Sequence, residues 1–181
     1  MRFVVVGTSG SGKSIFAAAL ARAADCPCIE LDQLYWGPGW TAVPQEHFER
    51  SVLVATSGGR WVADGNYSAV RDVLWARATH IIWLNHGRRT VFSRILWRTI
   101  SQGLMRKRLP HGNRESLRMA FFSSASVLRW SFTTFASNRI KFSALRQAPA
   151  FAHLQWIEIT HPNQAADAIR RLGGKGIGPC G

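Results

Sequence analysis

The chain has 181 residues, of which 46% are hydrophobic; this fits one folded domain with a buried core and excludes a disordered chain. Its 23 Lys and Arg residues outnumber its 10 Asp and Glu residues, which gives a net charge of +13. Thirteen of the basic residues lie between Arg88 and Arg146 beside a single acid, so nearly all of the excess charge belongs to that stretch.

Several classes of protein are excluded by composition. No run reaches the roughly 20 apolar residues of a membrane-spanning helix, so we expect no membrane partner. We expect no secretory signal, because the apolar start at Phe3–Val6 ends at a Gly/Ser loop. The three cysteines, Cys26, Cys28 and Cys180, lack the spacing of a zinc site and are typical of idle thiols in a reducing cytoplasm. We therefore expect a cytoplasmic protein.

The residue pattern predicts alternating strands and helices, from β-branched apolar runs and from good helix formers respectively. The predicted strands are Arg2–Val6, Pro27–Leu31 with Asp32 at its end, Arg60–Ala63, His80–Leu84 and Leu154–Ile159. The predicted helices are Ser14–Ala24, Pro44–Thr56, Tyr67–Arg77, Arg88–Gln102, a helix or helix pair over Glu115–Arg146, and Asn163–Leu172. Between the second strand and the next helix, Gln33–Val43 predicts a loop. Strands separated by helices indicate an α/β fold, a parallel sheet with helices on both faces.

The order of these elements predicts a single domain over residues 1–172. Within it, the basic segment 103–115 is broken by Gly and Pro and separates two helices. The Gly-rich tail 173–181 is expected to be disordered.

One motif carries a specific chemical signal. Residues 7–14 match G-x-x-x-x-G-K-[ST] in full, directly after an apolar strand and before a helix. Its glycines let backbone N–H groups surround a phosphate, and the helix adds its positive N-terminal end. Lys13 can reach the β and γ phosphates, and Ser14 can ligate Mg²⁺. The pattern predicts ATP and Mg²⁺ as cofactors, a plain Gly/Ser turn being the alternative. The residues expected to bind phosphate are Gly7, Thr8, Ser9, Gly10, Ser11, Gly12, Lys13 and Ser14.

Two carboxylates follow the second and third predicted strands. Ligands of open α/β sheets bind at the carboxyl ends of the strands, so Asp32 and Asp64 are expected to face the phosphate loop. One division of roles gives Asp64 to the shell of Mg²⁺ and Asp32 to the acceptor hydroxyl or its proton. The structural alternatives are a turn or helix cap at Asp32 and an Asp-Gly turn at Asp64.

The basic stretch offers residues that can stabilise a transferring phosphoryl group. Arg94 and Arg98 are four residues apart and share one helix face, while Arg106 and Arg114 flank the Pro-Gly break. A basic, broken segment between helices is typical of a closing lid, and a solvated basic face is the alternative.

The aromatic residues divide into two groups. Trp36 and Trp40 follow Asp32, where they can wall an acceptor pocket or serve packing alone. Four other tryptophans are expected in the core: Trp61, Trp75, Trp83 and Trp156. A packed helix face is expected from Phe121, Phe122, Trp130, Phe132 and Phe135.

Four motifs together resemble the bacterial family called DNA topology modulation proteins, P-loop proteins similar to adenylate kinase. They are Gly10–Ser14, Ile29–Trp40, Trp61–Tyr67 and Gly112–Ser116. The resemblance extends from Met1 to about Leu172. It implies a three-layer P-loop NTPase fold with strand order 2-3-1-4-5 and a helical basic lid between the fourth and fifth strands.

The same resemblance implies roles for individual residues. Asp32 would face the acceptor, Asp64 would lie near Mg²⁺, and lid arginines such as Arg106 and Arg114 would grip ATP. The sequence departs from the pattern at Ile15, where a Thr is common, and at Asn85–His86, where an Asp and a nearby Pro are expected.

Two hypotheses of function remain. The first is a phosphotransferase that moves the γ-phosphoryl of ATP to a small-molecule acceptor, either a nucleotide or a hydroxylic metabolite. The alternative is a nucleotide-gated DNA-binding regulator, in which the stretch 88–146 neutralises nucleic-acid phosphates. The candidate catalytic residues are Lys13, Asp32, Arg94, Arg98, Arg106 and Arg114, and the candidate metal ligands are Ser14 and Asp64.

Overall fold

The computed structural model describes residues 1–88, 90, 91, 93 and 135–174. Five strands in these ranges form one parallel sheet in the order β2-β3-β1-β4-β5, as predicted. The strands are β1 (Arg2–Gly7), β2 (Cys28–Glu30), β3 (Trp61–Asp64), β4 (His80–Leu84) and β5 (Gln155–Ile159). The helices are α1 (Lys13–Ala23), α2 (Leu31–Tyr35), α3 (Gln45–Ala55), α4 (Arg71–Arg77), α5 (135–147) and α6 (Gln164–Gly173).

Two hydrophobic cores lie on opposite faces of the sheet and make three layers. Because side chains alternate along a strand, Val4 and Val6 of β1 face one core while Phe3 and Val5 face the other. The first core is covered by α3, α4 and α5 through residues that include Phe48, Leu74 and Phe142. The second core is covered by α1 and α6 through residues that include Leu20 and Ala168. The predicted three-layer α/β fold is confirmed.

The segment after β2 differs from its prediction as a loop. Residues 31–35 form the short helix α2, and Pro38–Trp40 form a 3-10 turn. Leu31 is fully buried and anchors α2 on the first core, which favours a helix over an extended exit from the strand. As a result β2 ends at Glu30, and Asp32 lies in the first turn of α2 instead of at the end of a strand.

Other predicted boundaries differ from the observed ones by a few residues, and some predicted segments lie outside the described residues. The helix predicted from Tyr67 begins at Arg71, because Tyr67 packs its ring against Tyr35 and Phe48. Helix α6 continues through Gly173, and residues 175–181 of the expected tail lie outside the described residues. The expected lid at 103–115 also lies outside them.

The core role expected for four tryptophans is confirmed. Trp61, Trp75 and Trp83 are buried, and the half-buried Trp156 packs edge-on against Trp75 at 5.6 Å between ring centroids. Phe135 is also buried and contacts Val91. The other aromatic residues of the expected helix face lie outside the described ranges.

Asn85 and His86 directly follow the end of β4, and Asn85 connects that end to β5. Both side chains are buried. Asn85 Nδ2 donates to Glu158 Oε1 at 2.6 Å, and Arg146 of α5 donates to the other oxygen of Glu158 at 3.3 Å. Through Glu158, Asn85 therefore joins β4, β5 and α5. No helix in the described ranges is both long and apolar enough to cross a bilayer.

We expect Gly173→Ala to destabilise the fold. A Cβ at Gly173 would lie 2.4 Å from the Ala23 Cβ and 3.0 Å from a backbone carbon of the same residue, so α6 would have to move away from α1. Overpacking of this kind costs about 1–3 kcal/mol of the free energy of unfolding, measurable by urea denaturation. Gly59→Ala is the matched control, because a Cβ there meets nothing within 4 Å. Equal midpoints for the two variants would contradict the close approach of these helices.

Candidate active site

The phosphate-loop motif joins the end of β1 to the start of α1. Gly7 has a φ of +152°, and a Cβ at this position would lie 2.7 Å from the Leu84 carbonyl oxygen of β4. Both facts require glycine at this residue. The Ser11 N–H donates to the Thr8 carbonyl oxygen at 3.1 Å and closes the turn. The motif is therefore folded as a tight loop directly against β4.

The loop places positive charge where a phosphate group can reach it. Lys13 is the first residue of α1, and its Nζ donates to the Thr8 carbonyl oxygen at 3.4 Å. The residue that precedes α1 is Gly12, which has no side chain to cap the helix. The first-turn amides of a helix have no acceptor within the helix, so they and the Lys13 ammonium form an end that suits an anion.

Asp64 is the last residue of β3 and is only 8% exposed. Burial raises the pKa of its carboxyl group, and the charges of Asp32 and Glu30 raise it further. A hydrogen bond from Ser14 and the charge of Lys13 act in the opposite direction. Asp64 therefore shares one electrostatic environment with Lys13 and Ser14 of the phosphate loop and with Asp32.

One oxygen of this carboxylate is unsatisfied within the described part of the chain. Asp64 Oδ1 is fully buried and has no hydrogen-bond partner there. A buried acceptor without a partner costs free energy, and a bound cation or an ordered water removes that cost. The Asp64 carboxylate and the Ser14 hydroxyl are hard oxygen donors, and these are the ligands that Mg²⁺ prefers. The two residues fit the cation that the sequence predicts.

Asp32 is held by a hydrogen bond that sequence reasoning missed. The Tyr67 hydroxyl donates to Asp32 Oδ1 at 2.6 Å. Burial raises the pKa of Tyr67, and the bond to Asp32 raises it further, so the phenol stays protonated as a donor. Asp32 itself is exposed, which leaves its carboxylate accessible to a ligand. Tyr67 thus orients the carboxylate that was expected to face the acceptor.

Tyr67, the hydrogen-bond partner of Asp32, belongs to a cluster of aromatic side chains. Tyr35, Phe48 and Tyr67 pack together, with ring centroids 4.7 to 5.1 Å apart. Trp36 is half-buried, and Trp40 stands edge-on to it at 6.0 Å with 46% of its surface exposed. Trp36 therefore takes part in packing, while Trp40 leaves nearly half of its surface exposed.

Asn66 is a second residue that the sequence did not single out. Its Oδ1 accepts the Gly7 N–H at 3.2 Å, and its Nδ2 donates to the Gly7 carbonyl oxygen at 2.6 Å. Asn66 follows the predicted Asp-Gly turn, and neither periodicity nor motif spacing marks it as a partner of the phosphate loop. Its position inside the Trp61–Tyr67 motif was the available signal.

The arginines expected to contact ATP cannot be placed in this site. Arg94, Arg98, Arg106 and Arg114 all lie outside the described residues. At the edges of that segment, the guanidinium groups of Arg88 and Arg139 lie 5.4 and 5.8 Å from the centre of the Phe135 ring. The roles of the four arginines stay predictions.

We expect Asp64→Asn to stabilise the protein at neutral pH. Because burial raises the pKa of Asp64, the folded state binds more protons than the unfolded state between the ordinary and the raised pKa. Stability therefore falls as pH rises through that window and stays reduced above it, whereas Asn does not ionise. Urea denaturation should show the variant more stable at pH 7, with the difference shrinking toward about pH 4.

Asp72→Asn, on the exposed first turn of α4, is the control. A negative charge at the start of a helix is favourable, so this variant should not be more stable than the natural chain at pH 7. A stability difference between Asp64→Asn and the natural chain that is the same at both pH values would contradict the burial effect.

Comparisons by sequence find no relative. No protein-family model matches the chain, and no curated protein matches it either. The resemblance to the DNA topology modulation proteins therefore stays a prediction.

Solved structures do match in fold. A gluconokinase from Sinorhizobium meliloti is 18% identical with a TM-score of 0.52, over 95% of this chain and 88% of that one. A protein described as a "putative kinase" from Chloroflexus aurantiacus is 16% identical with a TM-score of 0.52, over 94% and 95% of the two chains. An uncharacterized protein from Eubacterium ventriosum is 10% identical with a TM-score of 0.50, over 97% and 99%. At these identities the likeness concerns the fold alone: the chain has the three-layer α/β fold of P-loop kinases.

Proposed function

We propose that the protein is a phosphotransferase that moves the γ-phosphoryl group of ATP to a hydroxyl group of a small-molecule acceptor. The observation that carries this proposal is the convergence of four side chains at one edge of the sheet. Asp64 ends β3 opposite Val5 of β1, the strand that leads into the loop. Lys13 and Ser14 of that loop lower the pKa of Asp64, and the charge of Asp32 raises it.

Phosphoryl transfer needs a cation for the phosphates, ligands for a metal ion and a carboxylate for the acceptor. Lys13 would be the cation, Ser14 and Asp64 the metal ligands, and Asp32, which is held by Tyr67, the carboxylate.

In this proposal the phosphate loop binds the nucleotide. Backbone amides of residues 7–14 and the Lys13 ammonium bind the β and γ phosphates and offset the charge that develops on them. Ser14 and Asp64 would hold Mg²⁺, which supplies charge neutralisation at the phosphate oxygens when bound. The arginines Arg94, Arg98, Arg106 and Arg114 are proposed as further phosphate contacts.

The acceptor side belongs to Asp32. An acceptor hydroxyl oxygen attacks the γ-phosphorus, the bond between the β–γ bridging oxygen and the γ-phosphorus breaks, and ADP leaves. Asp32 takes the proton of the hydroxyl group, while Tyr67 fixes the orientation of its carboxylate. Trp40, which follows Asp32 in the chain and has an exposed ring, is proposed as an apolar surface for the acceptor. ATP consumption in the presence of nucleoside monophosphates, nucleosides, sugars and hydroxy acids would identify the acceptor.

Lys13→Ala is expected to lower kcat/KM for ATP by about 100- to 1,000-fold, the usual effect of removing one preorganised donor from a transition state. Steady-state kinetics at varied ATP concentration measures this with the acceptor found in the screen. Arg22→Ala, an exposed basic residue of the same helix, is the control and should keep the natural rate. Unchanged transfer in Lys13→Ala would reject the phosphate-loop mechanism.

Asp32→Asn is expected to lower kcat by about 100- to 10,000-fold, because the amide cannot take up the proton of the acceptor. Binding of ATP should change little, since Asp32 faces the other half of the site. Isothermal titration of ATP with Mg²⁺ and rate measurements under saturating ATP separate the two effects, and Asp25→Asn serves as an exposed control. A variant with natural kcat would remove Asp32 from the reaction.

The proposal as a whole fails under one clear combination of results. That combination is no phosphoryl transfer to any acceptor tested together with tight DNA binding that weakens steeply with salt, as counterion release requires.

A further inference from the structure

The chain that follows β3 contacts Gly7, the first residue of the phosphate loop, through the side chain of Asn66. The amide group of Asn66 makes two hydrogen bonds to a single residue, Gly7, 59 positions away in sequence. One bond takes up the Gly7 N–H and the other satisfies the Gly7 carbonyl oxygen. Asn66 thereby fixes the orientation of the peptide groups on both sides of the first residue of the loop.

The main chain explains why a side chain makes these bonds. Strands β1 and β3 pair in register up to Val5 and Asp64, and the Gly65 N–H still donates to the Val5 carbonyl oxygen at 3.4 Å. Gly65 then turns with a φ of +148°, and a Cβ there would lie 2.9 Å from the Leu31 side chain. The backbone of β3 therefore stops following β1 just where the loop begins. The amide of Asn66 replaces a strand peptide and extends the pairing to Gly7.

We propose that Asn66 is a positioning residue of the phosphate loop, which holds Gly7 in the orientation that nucleotide binding requires. This inference rests on the nucleotide site of the proposed function but not on phosphoryl transfer or on the identity of the acceptor. Asn66 acts through Gly7, and its effect is on the conformation of the loop rather than on the reacting atoms.

The expected size of the effect follows from the two lost bonds. Each hydrogen bond contributes modestly to the preference of Gly7 for its present orientation. When the binding-competent loop becomes less populated, the apparent dissociation constant of the nucleotide rises by the same factor. We expect Asn66→Ala to weaken binding of ATP with Mg²⁺ about tenfold, which corresponds to about 1.4 kcal/mol.

Isothermal titration calorimetry with ATP and with inorganic triphosphate, each with Mg²⁺, tests this inference. Because Asn66 acts on the phosphate loop, the two ligands should lose affinity by the same factor in Asn66→Ala. Asn66→Asp has the same shape and keeps the acceptor for the Gly7 N–H, but it places a carboxylate oxygen against the Gly7 carbonyl oxygen. It should bind at least as weakly as Asn66→Ala, and it provides the measurement if the smaller side chain prevents folding.

Asn85→Ala is the matched control. Asn85 is a buried amide at the same edge of the sheet, but its side chain bonds to Glu158 and not to the loop. This variant should have a lower melting temperature and natural affinity for ATP.

Three results overturn the inference. Natural affinity in folded Asn66→Ala or Asn66→Asp would overturn it alone and leave the proposed function standing. An equal loss in Asn85→Ala would overturn it by showing that general destabilisation weakens binding. A natural chain that binds neither ATP nor triphosphate would overturn both the inference and the proposed function.

Discussion

The parallel pairing of β1 with β3 is the constraint on which the site depends. With Val5 opposite Asp64, the two strands end at the same level, and the chains that leave them run side by side. The chain leaving β1 becomes the phosphate loop. The end of β3 and the chain after it supply Asp64, whose carboxylate lies in the electrostatic environment of Lys13 and Ser14, and two side-chain hydrogen bonds, one from Asn66 to Gly7 and one from Tyr67 to Asp32. A shift of this register by one residue would reverse the faces of the strand side chains and displace these groups from the loop.

This arrangement contains groups that are unfavourable for the free energy of folding, and the buried interior of the sheet offsets them. Asp64 is a buried carboxylate with one unsatisfied oxygen, and Gly7 and Gly65 adopt backbone conformations that other residues avoid. The two cores compensate, since β1 and β3 are buried on both faces by residues such as Phe3, Val4 and Trp61. Stability is therefore concentrated in the middle of the sheet, and the unfavourable groups are concentrated at the edge that carries the phosphate-loop motif.

The sequence predicted features that depend on local pattern. The alternation of strands and helices indicated the α/β fold, and the motif over residues 7–14 indicated the loop. The strand-end argument correctly placed Asp64 at the end of a strand but not Asp32, which lies in α2. The sequence did not predict contacts between residues that are distant in the chain and that only the fold brings together. No periodicity could show that Asn66 reaches Gly7, because Gly65 first has to turn the backbone away from β1. Helix α2 was also missed, because five residues are too few to give a helical pattern, and the burial of Leu31 that anchors it on the first core depends on the folded chain.

The turn that carries Trp40 is closed on itself by main-chain bonds. The Gly37 N–H donates to the Thr41 carbonyl oxygen at 2.8 Å, and the Val43 N–H donates to that of Tyr35 at 3.0 Å. These bonds do not involve the side chains at the tip, and Asp32 is held separately by Tyr67. At the tip, however, Gly39 and Trp40 have left-handed φ values of +65° and +60°, so a substitution of Gly39 would be strained although a Cβ there would meet nothing within 4 Å. The main-chain bonds thus leave the tip of the turn exposed, while its backbone conformation restricts which residues the tip can accept.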